Sequence, residues 1–304
     1  MIKAKSLSLK TRRSISGYLF ISPFIIGFVF LMLMPFVLFI FMGLSEQHVG
    51  SEGGIIFNLV GFKNYYEALF VETDFIQQVL ASLADLLITF PSILLYSFFI
   101  AIILNQKFKG RAISRAVFFL PVLVASGAAA MGQGDALMNT AISAISGNTD
   151  SVKDSLNLTS TLMDLLGTSL DSSLFDIIET LVEKIYTIAM SSGVQILIFL
   201  AGLQTISPSL YEASSIEGAT AWENFWKITL PMISPLILVN AVYTIVDVMG
   251  NPNNQIVNKL YDMSMREYKY GLSSAMGTIY FGIIIAVLGI VIFLISKGVF
   301  YEDR

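Results

Sequence analysis

The residues best able to do chemistry in this chain lie in a polar interval between two long apolar runs of its last third. Ser209 and Glu212 have the spacing of a capping box, in which each side chain satisfies a backbone amide at a helix start. Thr220 and Glu223 repeat that spacing. Gly218 stands between them, where a helix needs a residue that can adopt positive φ to reverse direction. The interval therefore predicts two short capped helices joined by a glycine turn.

The second predicted helix carries an aromatic face. A spacing of i, i+3, i+4 and i+7 places both indoles on that face, which comprises Trp222, Phe225, Trp226 and Thr229. Pro231 is expected to end this helix. A loop that follows a membrane span has no need of such a face unless something covers it, so the pattern predicts a binding surface.

Signatures of catalysis are missing from the sequence. It holds no Gly-x-x-x-x-Gly-Lys-Ser/Thr phosphate loop, no nucleophile elbow, no histidine-carboxylate zinc pattern and no intramembrane run of paired acids. Cysteine is absent, and the single histidine, His48, is of a kind that more often lies on a surface than binds a ligand. We expect no catalytic residue, no metal site and no cofactor in this chain.

The composition indicates that the loop is positioned by membrane-spanning segments. Hydrophobic residues make up 55% and charged residues 13% of the 304 residues, whereas a soluble domain typically carries about 25% charged residues. The mean hydropathy is +0.74. The chain is therefore predicted to be a polytopic membrane protein, in which the formal net charge of -4 says less than the side on which each charge lies.

Six apolar runs are each close to the length of about 20 residues that crosses a bilayer. The first is too long for a signal peptide and lacks a small-x-small cleavage site, so we interpret it as an uncleaved span with the N-terminus inside. The predicted spans are residues 17–44, a stretch within 75–104, and residues 116–131, 185–206, 231–249 and 271–296. The predicted organisation is a cytoplasmic segment 1–16, three spans within 17–131, a polar extracytoplasmic insert 132–183 with short amphipathic helices, and three spans within 184–304, including the polar loop 207–230.

The basic residues predict the orientation of the spans. Twelve of the eighteen are assigned to the inner side, and the acids show the opposite bias. The twelve are Lys3, Lys5, Lys10, Arg12, Arg13, Lys107, Lys109, Arg111, Arg115, Lys227, Lys297 and Arg304. The loop 207–230 and both termini are therefore expected in the cytoplasm.

Asp85 lies within the second predicted span and admits two interpretations. A carboxylate at the membrane midplane costs about 3 kcal/mol and usually marks a functional position. Counting back about 20 residues from the basic loop at 105–115 instead places Asp85 at the outer rim. We favour a solvated interfacial acid.

The polar loop also carries a family resemblance. The run EASSIEGA at residues 212–219, followed by Phe225, Ile228, Leu230 and Pro231, resembles the EAA loop of the membrane subunits of binding-protein-dependent ABC importers. Residues 201–211 resemble the carbohydrate branch of that family, the maltose-type and glycerol-phosphate-type permeases. Two departures are visible, since Ser214 stands where the family usually has alanine and Glu217 where it usually has aspartate. Both keep size or charge.

The resemblance implies that this loop forms coupling helices that dock in a cleft of a cytoplasmic ATPase. The implied coupling residues are Glu212, Ala213, Ser214, Glu217, Gly218, Ala219, Trp222 and Phe225. The local pattern alone favours a plainer alternative, in which Glu212 only completes a capping box and Gly218 only ends a helix. The surrounding topology reverses that preference. For the two indoles, docking and bracing against the spans are equally weighted alternatives.

The resemblance also implies the fold and the partners. The expected fold is all-α, with the six transmembrane helices of the type I, maltose-type importer permease, in a bacterial cell membrane. The expected partners are a second homologous permease, two copies of a cytoplasmic ATPase that binds ATP and Mg, an extracellular solute-binding protein and the lipid bilayer, with no nucleic acid. The implied function is import of a carbohydrate, an oligosaccharide or a sugar derivative. In the spans that line the pathway in the family, candidate substrate contacts are Tyr96, Asn240, Tyr243 and Asp247, although most aromatics in such helices serve packing.

Two other classes of protein remain as alternatives. An ion-coupled secondary carrier or channel would transport without an ATPase, and it predicts inverted repeats with broken spans that the sequence does not show clearly. A structural membrane scaffold fits the composition but not the twin-capped loop. Within the importer class, glycerol-phosphate-like or other polar solutes are the alternative substrates.

Overall fold

The computed structural model describes residues 9–49, 55–106, 108–116, 118, 172–252 and 254–298. In the first part of the chain the elements are α1 (Leu9–Phe28), a π-helical turn (Val29–Leu33), α2 (Met34–Gly43), β1 (Ser45–Val49), β2 (Ile55–Leu59), α3 (Lys63–Tyr66), a second π-helical turn (Glu67–Val71) and α4 (Thr73–Asn105). The later elements are α5 (Ser172–Ser191), α6 (Gly193–Thr205), α7 (Pro208–Ile216), α8 (Ala221–Asn224), a third π-helical turn (Phe225–Thr229), α9 (Leu230–Gly250), α10 (Gln255–Met265) and α11 (Tyr270–Ser296).

Within the described residues, four continuous helices are long and apolar enough to cross a membrane, Ser16–Gly43, Thr73–Asn105, Ala221–Gly250 and Tyr270–Ser296. They contain or closely match the first, second, fifth and sixth predicted spans. None of the apolar window of the first is buried inside the chain. Large apolar surfaces of this kind are stable only against lipid or other protein. The chain is therefore a polytopic, mainly helical membrane protein, and its third predicted span, 116–131, lies almost wholly outside the described residues.

The fourth predicted span, 185–206, is not a single continuous helix. The structure has a pair of helices, Thr180–Ser191 and Gly193–Thr205, bent by 53° at Ser192. The Ser192 hydroxyl donates to the carbonyl of Ile188 one turn earlier, and Gly193 follows directly. Back-bonding of this kind and a glycine both favour a bend. Helix α5 also begins at residue 172, inside the predicted insert, whose residues 132–171 lie outside the described part.

The predicted external loop after the first span contains a hairpin. Strands β1 and β2 pair antiparallel, with Ser45 opposite Leu59 and Val49 opposite Ile55. The buried Asn64 amide donates to the carbonyls of Gly43 and Ser45 at 3.0 Å each. This side chain fixes the start of the hairpin to the end of α2. The sequence interpretation, which assigned only a loop here, missed this sheet.

The chain divides into two compact units, Met1–Val79 with Asn258–Gly282, and Leu80–Val257 with Ile283–Arg304. The polar loop belongs to the second unit. Near its base is a buried apolar cluster contributed mainly by α4 and α6, with one residue of α9. The cluster comprises Ala101, Leu104, Ile196, Phe199, Leu200, Leu203, Ile206 and Ile233. This core gives the loop a fixed base.

Candidate functional site

The turn between the two loop helices has the predicted glycine geometry. Gly218 has φ +82°, a left-handed conformation that costs an L-residue roughly 1–2 kcal/mol. Its amide donates to the Ser215 carbonyl at 3.1 Å, and the Ala219 amide donates to the Ser214 carbonyl at 2.9 Å. A Cβ added at Gly218 would meet nothing within 4 Å. The space around this turn is open, so the backbone conformation alone requires the glycine.

The second predicted capping box is confirmed. The Glu223 amide donates to the Thr220 hydroxyl at 3.3 Å, and the Thr220 amide donates to the Glu223 carboxylate at 2.9 Å. Lys227, one turn later, forms an ion pair with the same carboxylate at 3.5 Å. These contacts determine where α8 begins and hold its first turn.

The first predicted capping box is wrong. Helix α7 begins at Pro208, so Ser207 is the N-cap residue and Ser209 lies inside the helix. Proline is favoured at the first helical position because its φ is preset and its missing amide is not needed there. The Ser207 side chain makes no capping bond, and its hydroxyl lies 2.7 Å from that of Ser209. The Glu212 side chain is exposed and makes no capping bond, so the plainer role considered for it is not realised.

Pro231 does not end the second helix, contrary to the sequence interpretation. Helices α8 and α9 are continuous from residue 221 to residue 250 through the π-helical turn. In that turn the Leu230 amide donates to the Phe225 carbonyl, five residues earlier. A wider turn accommodates a proline, whose ring would otherwise clash with the carbonyl four residues before it. The loop is therefore joined to the fifth predicted span by unbroken helix.

The aromatic residues of the second helix contact one another but differ in burial. The Trp222 ring stacks on Phe225 at 6.1 Å and meets Trp226 edge-on at 5.6 Å, measured between centroids. Trp222 remains 68% exposed and Trp226 49%. Phe225 is half-buried and reaches Phe98 of α4 at 6.0 Å. Phe225 therefore braces the loop, while the indoles face outward.

Thr229 departs from the predicted aromatic face. It is buried, and its hydroxyl lies 2.9 Å from that of Tyr211 in α7. Phe225, Tyr211 and Thr229 also line a cavity of about 330 Å³ at the base of the loop, together with residues of α4 and α6. The sequence interpretation missed this hydroxyl pair, because no local pattern connects residues 18 positions apart.

An exposed apolar side chain completes the outer surface of the loop. Ile216, at the end of α7, is 88% exposed. Glu212, Ala213, Glu217 and Gly218 are also exposed, whereas Ser214 and Ala219 are partly buried. The Ser214 hydroxyl donates to the Tyr211 carbonyl at 2.9 Å, so this side chain bonds within α7. The sequence interpretation did not include Ile216, although an isoleucine in an otherwise polar turn was a usable signal.

The four candidate substrate contacts lie in two helices, Tyr96 in α4 and the other three in α9. Asn240 is fully buried and donates to the Gln195 carbonyl at 3.4 Å. Tyr96 packs against the buried cluster at the loop base. Tyr243 is 36% exposed and Asp247 is half-buried. Neither of the two described cavities is lined by any of the four.

Asp85 lies on the surface of α4. The Asp85 side chain is 55% exposed and lies 3.5 Å from Lys184, which agrees with a solvated carboxylate. Across the described ranges, no group of three or more histidine or acidic residues could hold a metal ion.

Comparisons with known proteins agree with the architecture. A family model described as "binding-protein-dependent transport system inner membrane component" matches residues 68–301. The probable ABC transporter permease protein YesP of Bacillus subtilis is 28% identical, over 99% of this chain and 96% of the relative. The trehalose/maltose transport system permease protein MalF of Thermococcus litoralis is 28% identical, over 79% of this chain and 76% of the relative.

A solved structure has the same fold. A chain of a bacterial ABC transporter involved in the import of the acidic polysaccharide alginate superposes with a TM-score of 0.59. The superposition covers 95% of this chain and 97% of the other at 17% sequence identity.

Proposed function

The chain belongs to the family of binding-protein-dependent transport system inner membrane components, and on this premise we propose that it is one membrane half of an ATP-driven carbohydrate importer. The transported molecule is an oligosaccharide or a sugar derivative. Support for this substrate class comes from the relative named as a trehalose/maltose transport permease and from the sugar-permease resemblance of residues 201–211.

The observation that carries the proposal is the form of the loop 207–230. It is a preformed pair of helices, hinged at Gly218, whose outer surface exposes Glu212, Ile216 and Trp222. Leaving an isoleucine and an indole in water forfeits about 1.5–3 kcal/mol for each large apolar side chain that a partner could bury. This surface is therefore suited to a second protein, which we identify as the cytoplasmic ATPase.

Transmission to the membrane follows from the continuous helix. The 30 residues of Ala221–Gly250 span about 45 Å at 1.5 Å per residue, while the hydrocarbon core is about 30 Å thick. About 15 Å of this helix, close to its first three turns, therefore projects toward the ATPase while the rest crosses the bilayer. Closure of two ATPase subunits on ATP would push the projecting end and switch the spans between inward-open and outward-open packing.

The remaining components of the importer lie in other chains. The sequence lacks a phosphate loop, so ATP and Mg would be bound by the separate ATPase. A second homologous permease would complete the pathway, and an extracellular solute-binding protein would deliver the sugar. The bias of the basic residues supports a cytoplasmic position for the loop and both termini.

Gly218 offers the sharpest test, because Gly61 provides a matched control. Both glycines have positive φ, +82° and +65°, and neither has an atom within 4 Å of an added Cβ. Replacement by valine therefore imposes similar backbone strain at both positions. Gly218→Val is expected to lower the amount of ATPase that co-purifies with the chain by about tenfold, which corresponds to about 1.4 kcal/mol, while Gly61→Val leaves it unchanged.

Two results would contradict the coupling role. One is undiminished ATPase association in Gly218→Val, and the other is an equal loss in both valine variants. The alternative of a self-contained carrier predicts transport by the isolated chain without nucleotide, which uptake by proteoliposomes containing only this chain would reveal.

A further inference from the structure

The hydroxyl pair at the loop base connects two segments that the exposed turn leaves far apart along the chain. Tyr211 lies in the middle of α7, and Thr229 is the last residue of the π-helical turn that leads into α9. Their oxygens are 2.9 Å apart, across 18 residues of sequence. In the described structure this is the side-chain hydrogen bond that joins α7 to residues 221–229. It bypasses the Gly218 turn.

The direction of the bond follows from the second contact of Thr229. Its hydroxyl donates to the Asn224 carbonyl at 3.3 Å, and a threonine hydroxyl has only one proton to donate. Tyr211 is therefore the donor to Thr229. The result is a chain of two hydrogen bonds, from α7 through Thr229 to the end of α8. A chain of this kind fixes orientation better than one isolated bond does.

The surroundings give this contact more weight than an exposed bond would have. Thr229 is 8% exposed and Tyr211 is half-buried. Both line the cavity of about 330 Å³, which is also lined by Ile102, Leu203 and Phe225. Tyr211 also packs against the buried cluster at the loop base, so apolar contact holds this end of α7 in place. The hydroxyl pair adds a directional constraint that apolar packing does not supply.

We infer that the Tyr211–Thr229 hydroxyl pair is a positioning contact that makes α7 and the base of the fifth span move as one body. This inference rests on the proposed role of α7 as an ATPase-docking helix. A push on α7 reaches α9 through the hydroxyl pair. Without the pair, the same push would be absorbed by rotation about the open Gly218 turn and by movement into the adjacent cavity.

A distance measurement between two spin labels tests this contact. The chain contains no cysteine, so Ser209→Cys in α7 and Val239→Cys in α9 provide unique labelling positions, both exposed. In the otherwise unaltered chain we expect a narrow distance distribution, identical with and without vanadate-trapped ATP in the assembled transporter. Tyr211→Phe and Thr229→Val are each expected to broaden it on the order of 2 Å, the size of common helix shifts. The distribution should then also shift on ATP trapping.

Three further variants distinguish positioning from general damage. Thr229→Ser keeps the hydroxyl and should keep the narrow distribution. Adding Tyr211→Phe to Thr229→Val should change nothing further, because Thr229→Val already removes the bond to Tyr211. Thr205→Val removes a hydroxyl that bonds only within α6, to the Gly202 carbonyl at 2.8 Å, and should have no effect.

The inference is overturned if Tyr211→Phe leaves the distribution narrow, or if Thr229→Ser broadens it as much as Thr229→Val. The nucleotide-free measurement needs no ATPase, so it tests the contact even if the proposed function fails. Failure of the proposed function would show separately, as absence of ATPase from the purified wild-type complex.

Discussion

Two glutamates of the loop share the spacing of a capping box but have different structural roles. Each stands three residues after a serine or threonine, yet only Glu223 completes a capping box. Pro208 moves the start of α7 to a position where Ser209 cannot cap. A three-residue spacing therefore predicts a cap correctly only where the neighbouring residues allow the helix to begin there, and Glu212 remains available to a partner.

This difference predicts unequal effects of two similar substitutions. Thr220→Ala removes a formed cap and should destabilise the first turn of α8 by about 1 kcal/mol, which accelerates amide exchange at residues 223 and 224 about fivefold. Ser209→Ala removes only an exposed hydroxyl and should leave exchange in α7 unchanged. Hydrogen exchange of the two variants measures both values. Equal acceleration in α7 and α8 would show that Ser209 caps after all.

The hydrogen-bond partners of buried polar residues could not be predicted from the sequence. Asn240 is buried where α9 meets α6, and beside it Gln195 donates to Thr244 at 3.2 Å. These partners are 45 and 49 residues apart. Helical spacing indicates which residues share a face, but not which distant helix covers that face.

At the scale of elements, two prolines follow π-helical turns in the same way. Pro35 comes two residues after the turn Val29–Leu33, and Pro231 comes two residues after Phe225–Thr229. In both, the intervening residue donates its amide to a carbonyl five residues back, Met34 to Val29 and Leu230 to Phe225. The shared geometry explains why neither proline ends its helix. Sequence rules that stop helices at proline therefore set one boundary of the fifth span too late.

The wide turn predicts a specific effect of replacing Pro231. Pro231→Ala restores an amide and removes the clash, so the turn can relax to α-helix, which rotates residues 221–228 by about 100° relative to α9. The aromatic surface would then face away from the ATPase, and less ATPase should co-purify. Pro235→Ala is the control, because Pro235 lies inside α9, six residues beyond the wide turn rather than two.

Association equal to wild type in Pro231→Ala would show that the orientation of α8 does not matter. A loss of the same size in Pro235→Ala would attribute the effect to general weakening of the span.

The long helices could be predicted from the sequence, whereas the bend and the hairpin could not. The long apolar helices were predictable, because about 20 apolar residues leave few alternatives to a span. The bend at Ser192 depends on a hydroxyl bond to Ile188, and the β1–β2 hairpin depends on Asn64 closing its start. Both are tertiary or conformational details that composition does not encode.

At the scale of the whole molecule, family membership, the asymmetry of the basic residues and the exposed loop all support the same role. The family match covers residues 68–301 and establishes a membrane component of a binding-protein-dependent system. The distribution of basic residues supports a cytoplasmic position for the loop. Ile216, exposed at the end of α7, is then expected to lie against the ATPase, whereas Asn258 in α10 is exposed on the predicted outer side.

The most direct test is photo-cross-linking from these two positions in membranes that contain the assembled transporter. A photoreactive side chain at Ile216 is expected to form an adduct with the ATPase subunit, and the same group at Asn258 is expected to form none. Docking of this loop on the ATPase would be contradicted if an intact complex gave no ATPase adduct from residue 216. It would also be contradicted if the ATPase adduct formed from residue 258 but not from residue 216.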